Sequence, residues 1–275
     1  MTLHASIRRA ASRLAKSLLR AVGVRHVTRR VHGHAYRVPL DSTSLRRLFV
    51  RRDDAYEGAF YPAVLALVPP GGTAFDVGAH LGEYAVRLSR RVGPGGHVVA
   101  FEANPVTAAQ LREVVRVNGL DNARVEAVAL GEHEGEIEMA LAGAGHAPGQ
   151  SLLASPTATG DRCTVPMTSL DAFVLATGLQ PDLVKIDVEG FELHVLAGAR
   201  HVLETASPIV CVEVHPARLQ SIGRSAEDVD AVLAGLGYAT TSHSYDHDES
   251  GRREGAPYNV VYEKRPASPA SATAV

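Results

Sequence analysis

Short apolar runs alternate with stretches of helical periodicity through the middle of this chain. Thr73 to Val77 and His97 to Phe101 have the length and continuous apolar character of parallel strands buried on both faces. Arg124 to Leu130, Asp182 to Gly190 and Pro208 to His215 read as a third, fourth and fifth strand. Between them, Tyr84 to about Val92, Val106 to Asn118, Ala172 to Thr177 and Phe191 to Leu203 carry apolar residues at helical spacing, with Asp171 where an N-cap belongs. This alternation predicts an α/β, Rossmann-like fold: a mostly parallel sheet, right-handed crossovers and helices on both faces. Glu227 to Leu236 predicts a last helix, and Tyr238 to Ser244 and Tyr258 to Lys264 two strands that pair antiparallel.

Upstream, Pro69-Pro70-Gly71-Gly72 is a firm break, preceded by a strand over Val31 to Pro39 and helical pieces over Asp41 to Arg51 and Tyr56 to Val68. Residues 131–170 interrupt the rhythm with two strand-like pieces, Glu136 to Leu141 and Arg162 to Met167, around a stretch rich in Gly, Ala, Ser and Pro. A loop of that length inside a compact domain suits a lid. The expected organisation is an N-terminal arm over 1–45, a main domain over 46–265 and a disordered Pro, Ala and Ser tail over 266–275.

Composition narrows the picture. The chain has 275 residues, 45% of them hydrophobic, enough for a sizeable core, and a net charge of −2 that supplies no global field for nucleic acid. Cys163 and Cys211 match no metal-ligand spacing, which fits a reducing cytoplasmic setting, and no run of about 18 apolar residues predicts a membrane span. The content of Ala, Arg and Gly is bacterial in character. The arm differs from the rest: its first 40 residues hold no acid, nine basic residues from Arg8 to Arg37, and Ile7, Ala11, Leu14, Leu18 and Val22 at helical spacing. A solvated extension, a partner contact and a helix lying on an anionic membrane through residues 1–30 all remain open for it.

The candidate chemistry sits at the strand ends. After the first strand the chain reads Asp76-x-Gly78-x-x-x-Gly82, wider than the G-x-G-x-x-G of a dinucleotide fold and suited to a ligand without phosphates. Asp76 can accept from an amino-acid ammonium or from loop amides, and Gly78 removes a Cβ where a ligand passes close to backbone. Glu102 ends the second strand 20 residues beyond Gly82, placed to hold a ribose diol. S-adenosylmethionine has both groups. Its expected contacts are Asp76, Gly78, Ala79, His80, Gly82, Glu102 and Asn104, with Val128 and Ala129 beside the adenine. At the fourth and fifth strand ends, Asp187, Glu189, Glu213 and His215 converge, with Glu192 in the first turn of the next helix. They could serve as base or as ligands of a divalent cation, magnesium or calcium before zinc because thiolates are absent. His215 or Asp187 as base without metal is the favoured expectation. His243, Asp246, His247 and Asp248 suit a solvated hairpin tip as well as a metal.

From about Tyr56 to about Tyr238 the chain resembles the FkbM-family methyltransferases, a class I S-adenosylmethionine-dependent group. The resemblance rests on DVGAHLGEY at Asp76 to Tyr84, FEANP at Phe101 to Pro105, SLDAF at Ser169 to Phe173, VKIDVEGFE at Val184 to Glu192 and VEVH at Val212 to His215. It implies a seven-stranded sheet of order 3-2-1-4-5-7-6 and O-methylation of a sugar, glycan or natural-product hydroxyl. A nucleic-acid acceptor is disfavoured because Asp187 is followed by Val-Glu-Gly rather than the Pro-Pro-aromatic of base methylases. A cofactor-binding scaffold without turnover is the rival outside enzymes.

Overall fold

The computed structural model describes residues 17–31, 34–40, 60–140, 162–245 and 256–265. Its first paired element is a hairpin, β1 (His26–Val31) with β2 (His34–Pro39), where the sequence reading has a single strand over Val31 to Pro39. Polar residues separate the apolar ones on both arms, so neither half stands out as an apolar run. The hairpin docks on the main body: Asn118 accepts from the Arg37 amide at 3.1 Å and donates to the Arg37 carbonyl at 2.8 Å, and Leu40 is buried.

After α1 (Phe60–Leu67) the expected rhythm begins with β3 (Thr73–Val77), α2 (Glu83–Val92), β4 (His97–Phe101), α3 (Pro105–Val117) and β5 (Ala123–Glu126). All five β3 residues are buried, as a continuous apolar run requires in a sheet covered on both faces. The third strand stops at Glu126, short of the Leu130 expected. Ala129–Leu130 forms β6 and leaves the large sheet to join β7 (Gly135–Ala140) and β8 (Arg162–Thr168) in a small one of order β6-β8-β7. The Gly-rich stretch proposed as a lid lies outside the described residues.

Next come α4 (Leu170–Thr177), β9 (Leu183–Ile186), α5 (Glu192–Ala197), α6 (Arg200–Thr205), β10 (Ile209–Val214), α7 (Pro216–Gln220), α8 (Ala226–Gly235), β11 (Tyr238–Tyr245) and β12 (Tyr258–Lys264). Two local expectations change. Ser169, not Asp171, caps α4, accepting from the Ala172 amide at 3.0 Å, while both Asp171 oxygens accept from the His201 and Val202 amides at the start of α6. The helix expected over Phe191 to Leu203 is two helices. They part at Gly198, where a Cβ would come within 1.9 Å of the Gly131 carbonyl oxygen, so the break lets the small sheet approach backbone to backbone.

The large sheet has the order β11-β12-β10-β9-β3-β4-β5. Counted within this sheet alone, that is the 3-2-1-4-5-7-6 order read from the opposite edge, and the departure lies in the five strands outside it. β10-β9-β3-β4-β5 are parallel, and β12 runs antiparallel to both β10 and β11. His243 lies within β11, while Asp246, His247 and Asp248 fall outside the described residues. One face packs Phe75, Phe101 and Phe173 edge to face, with centroids 4.9–5.8 Å apart, under α4, α5, α6 and α8. The other packs Ala74, Leu183 and Cys211 under Phe60, Val64, Tyr84 and Leu88 of α1 and α2. Strand alternation sends Asp76 and Lys185, register partners, to that second face.

Candidate active site

The loop after β3 is tied down by main chain. The amides of Gly78 and Ala79 both donate to the Phe101 carbonyl at 3.0 Å, and the His80 amide donates to Glu102 Oε2 at 2.9 Å. Gly78 has φ 80, and a Cβ there would lie 1.8 Å from the Asp187 carbonyl oxygen. The end of β9 pressing on the loop thus by itself requires glycine here. Gly82, at φ 81, makes room for Leu111 of α3 in the same way, 2.5 Å from its would-be Cβ. These contacts fix where Asp76 and Glu102 point.

Asp76 is 1% exposed, and neither carboxylate oxygen completes a hydrogen bond. Burial raises its pKa to about 6, against the pull of the Lys185 ammonium. Glu102, also buried, accepts from the His80 and Asn104 amides at 2.9 Å each, and burial still outweighs those bonds and lifts it to about 7. The Asn104 side-chain oxygen caps α3 by accepting from the Val106 and Thr107 amides, while its own amide holds Glu102. Val128 and Ala129 lie two and three residues past the end of β5, with Ala129 2% exposed in the core and Val128 packed against it.

The ends of β9 and β10 bring Asp187, Glu189, Glu213 and His215 together, as alternation on the two strands predicts. A left-handed backbone at Glu189, φ 52, turns the chain so that its carboxylate faces the imidazole. His215 Nδ1 lies 2.8 Å from Oε1 of Glu192, which is wholly buried and also accepts from the Gly190 amide at 2.9 Å. Its Nε2 faces Glu189 Oε2 at 3.6 Å and Asp187 Oδ1 and Glu213 Oε1 at 3.9 Å. Lys185, 2% exposed, places Nζ 3.3 Å from Asp187 Oδ2 and 4.4 Å from the Tyr84 ring centroid.

These neighbours set the charges. Burial alone would lower His215, but the Glu192 hydrogen bond and the Asp187, Glu192 and Glu213 charges carry it up to about 9. With no cation beside it, these neighbours favour the protonated imidazole. Burial raises Asp187, yet Lys185 and His215 more than offset that and hold it below the usual carboxylate range. The sequence places Glu192 with the converging acids but does not show that it pairs with His215, and it gives Lys185 no role; period-two alternation on β9 was the signal for the second.

The residues present suit S-adenosylmethionine: an orphaned buried carboxylate at Asp76 for its ammonium, a second at Glu102 for its ribose, and a glycine loop between them. The family model described as the methyltransferase FkbM domain matches residues 76–240. No curated protein sequence matches this chain. Among solved structures, the chain is similar to a methyltransferase FkbM from Methylobacillus flagellatus KT, at 17% identity and TM-score 0.47 over 74% of this chain and 50% of that one, so it spans half of that protein's length. A precorrin-6y C5,15-methyltransferase from Geobacter metallireducens aligns at 13% identity and TM-score 0.45, over 75% of this chain and 87% of that one. An S-adenosylmethionine-dependent methyltransferase from Aquifex aeolicus gives 15%, 0.43, 80% and 97%. With the family match spanning both the Asp76 loop and His215, the chain belongs to the FkbM family of S-adenosylmethionine-dependent methyltransferases.

Proposed function

We propose that this chain is an O-methyltransferase acting on a hydroxyl of a small molecule, sugar, glycan or natural product. The observation that carries the reading is the group of Asp187, Glu189, Glu213 and His215 at the strand ends beside the Asp76 and Glu102 cradle. A neutral hydroxyl is a weak nucleophile and a weak acid, so it needs groups that orient it and take its proton. Asp187 and Glu189, with side chains 26% and 27% exposed, reach the open rim and do that work. Asp76 receives the ammonium of the cofactor and Glu102 its ribose hydroxyls, while Gly78 to Gly82 hold the loop. When bound, S-adenosylmethionine supplies an already activated methyl group. Lys185 keeps Asp187 ionised, and the buried Glu192 keeps His215 in place.

The test is transfer of isotopic label from S-adenosylmethionine to a panel of sugars, glycans and hydroxylated natural products. Asp187→Asn lowers turnover on the accepted substrate by roughly 10²–10⁴ with cofactor affinity nearly unchanged. Label entering RNA or protein instead of the panel would overturn the acceptor class, and wild-type turnover in both Asp187→Asn and Glu189→Gln would overturn the site.

A further inference from the structure

We infer that Asp187, Glu213 and His215 form a divalent-cation site for Mn²⁺ or Mg²⁺. One atom from each, all within 4.8 Å of one another, can face a common point. The imidazole is aimed at that point by a partner behind it: Glu192 takes Nδ1 at 2.8 Å, which is how a ligating histidine is oriented by a buried carboxylate. Its Nε2 then meets Asp187 Oδ1 and Glu213 Oε1 at 3.9 Å each. Those distances exceed hydrogen-bond length, and a closure of about 1 Å would bring them to the roughly 3 Å that separates neighbouring ligands lying about 2.1 Å from one ion.

The Asp187 and Glu213 carboxylates also interact with each other, which holds two acids side by side at that point. Lys185 engages Asp187 through Oδ2, and Oδ1 is the oxygen turned to the imidazole. Glu189 stands 3.6 Å from Nε2 on the exposed side, where it can add a third oxygen as a fourth ligand or meet a metal-bound water. Two carboxylates and one imidazole without thiolate select an oxygen-preferring cation, with the single nitrogen favouring Mn²⁺ over Mg²⁺. Asp187 is also the residue whose carbonyl abuts Gly78, so the ion would lie next to the cofactor loop. There it would bind the acceptor hydroxyl and ease loss of its proton. That role rests on the O-methyltransferase reading; the binding of the ion does not.

The full-length protein, stripped with chelator, is titrated with Mn²⁺ while electron paramagnetic resonance counts free ion, and S-adenosylmethionine binding is followed by calorimetry on the same samples. One saturable Mn²⁺ per chain is expected, displaced by excess Mg²⁺. Glu213→Gln and His215→Ala weaken it at least tenfold, and Glu192→Gln, which touches no ion, weakens it by roughly 10–100-fold. Folded wild-type protein that binds S-adenosylmethionine but no Mn²⁺ would overturn the site while leaving the methyltransferase reading intact. Equal Mn²⁺ binding by wild type, Glu213→Gln and His215→Ala would also overturn it. Failure of S-adenosylmethionine binding alone would strike the function and spare the ion.

Discussion

The Glu192 carboxylate, with no exposed surface, sits 2.8 Å from His215 Nδ1, joining a helix start to a strand end 23 residues away. Removing one partner leaves the other charge buried without compensation. Glu192→Ala should therefore cost about 3–5 kcal/mol in urea unfolding, and Glu192→Gln, which still accepts from the Gly190 amide, distinctly less. Equal, small costs for both would show that the pair does not hold the strand ends.

Cofactor binding should release protons near pH 6–7. Asp76 and Glu102 are held at about 6 and about 7, above their ordinary values, by burial, with Lys185 and the His80 and Asn104 amides pulling the other way and Asp187 adding to the rise. Raised carboxyl values mean that folding favours the protonated forms: this contribution to stability is full below about pH 4 and is lost as pH rises through 6 to 7. An ammonium and a ribose diol favour the ionised forms, so affinity for S-adenosylmethionine should climb over the same window. Calorimetry at pH 6.5 in buffers of different ionisation enthalpy should show proton release that fades by pH 8.5, and buffer-independent heats at pH 6.5 would contradict it.

Gly78→Ala tests the contact between the cofactor loop and β9. The new methyl would fall 1.8 Å from the Asp187 carbonyl oxygen on a backbone at φ 80, so the loop must move. A loss of stability beyond about 2 kcal/mol and of measurable cofactor binding is expected. At Gly178, a left-handed helix cap at φ 72 with nothing within 4 Å of the added atom, alanine should cost only about 1 kcal/mol of left-handed strain and leave binding unchanged. Similar behaviour of the two variants in chemical denaturation would refute the argument.

Much of this was legible because β3, β4 and β9 are short, mostly apolar runs with chemistry-bearing residues in or just after them, and period two places Asp187 and Glu189 at one rim. What was not legible depends on contacts between distant segments. Asp171 reads as an N-cap from its own neighbourhood, but its oxygens serve the amides of residues 201 and 202. Nothing local in Phe191 to Leu203 marks the break that Gly198 makes against Gly131. The Glu192–His215 pair, and with it the charge on the imidazole, appears only when α5 and β10 are brought together.

The basic arm also has a testable consequence. In the described part, Leu18, Leu19 and Val22 are 60%, 39% and 76% exposed on a helical turn over residues 17–21 and its end. Apolar side chains among basic ones predict binding to anionic vesicles at low salt, screened over about 10 Å at 0.1 M. Deletion of residues 1–24, which spares the hairpin docked on α3, should abolish co-flotation; equal flotation of both forms would exclude this surface.

The central claim is that the Asp76 and Glu102 carboxylates hold S-adenosylmethionine, and calorimetric titration of Glu102→Ala tests it most directly. Loss of a charge-assisted hydrogen bond to the ribose costs about 1.5–3 kcal/mol, so affinity should fall by roughly 10–150-fold while circular dichroism shows an intact fold. A folded Glu102→Ala protein that binds S-adenosylmethionine as tightly as wild type would contradict the account.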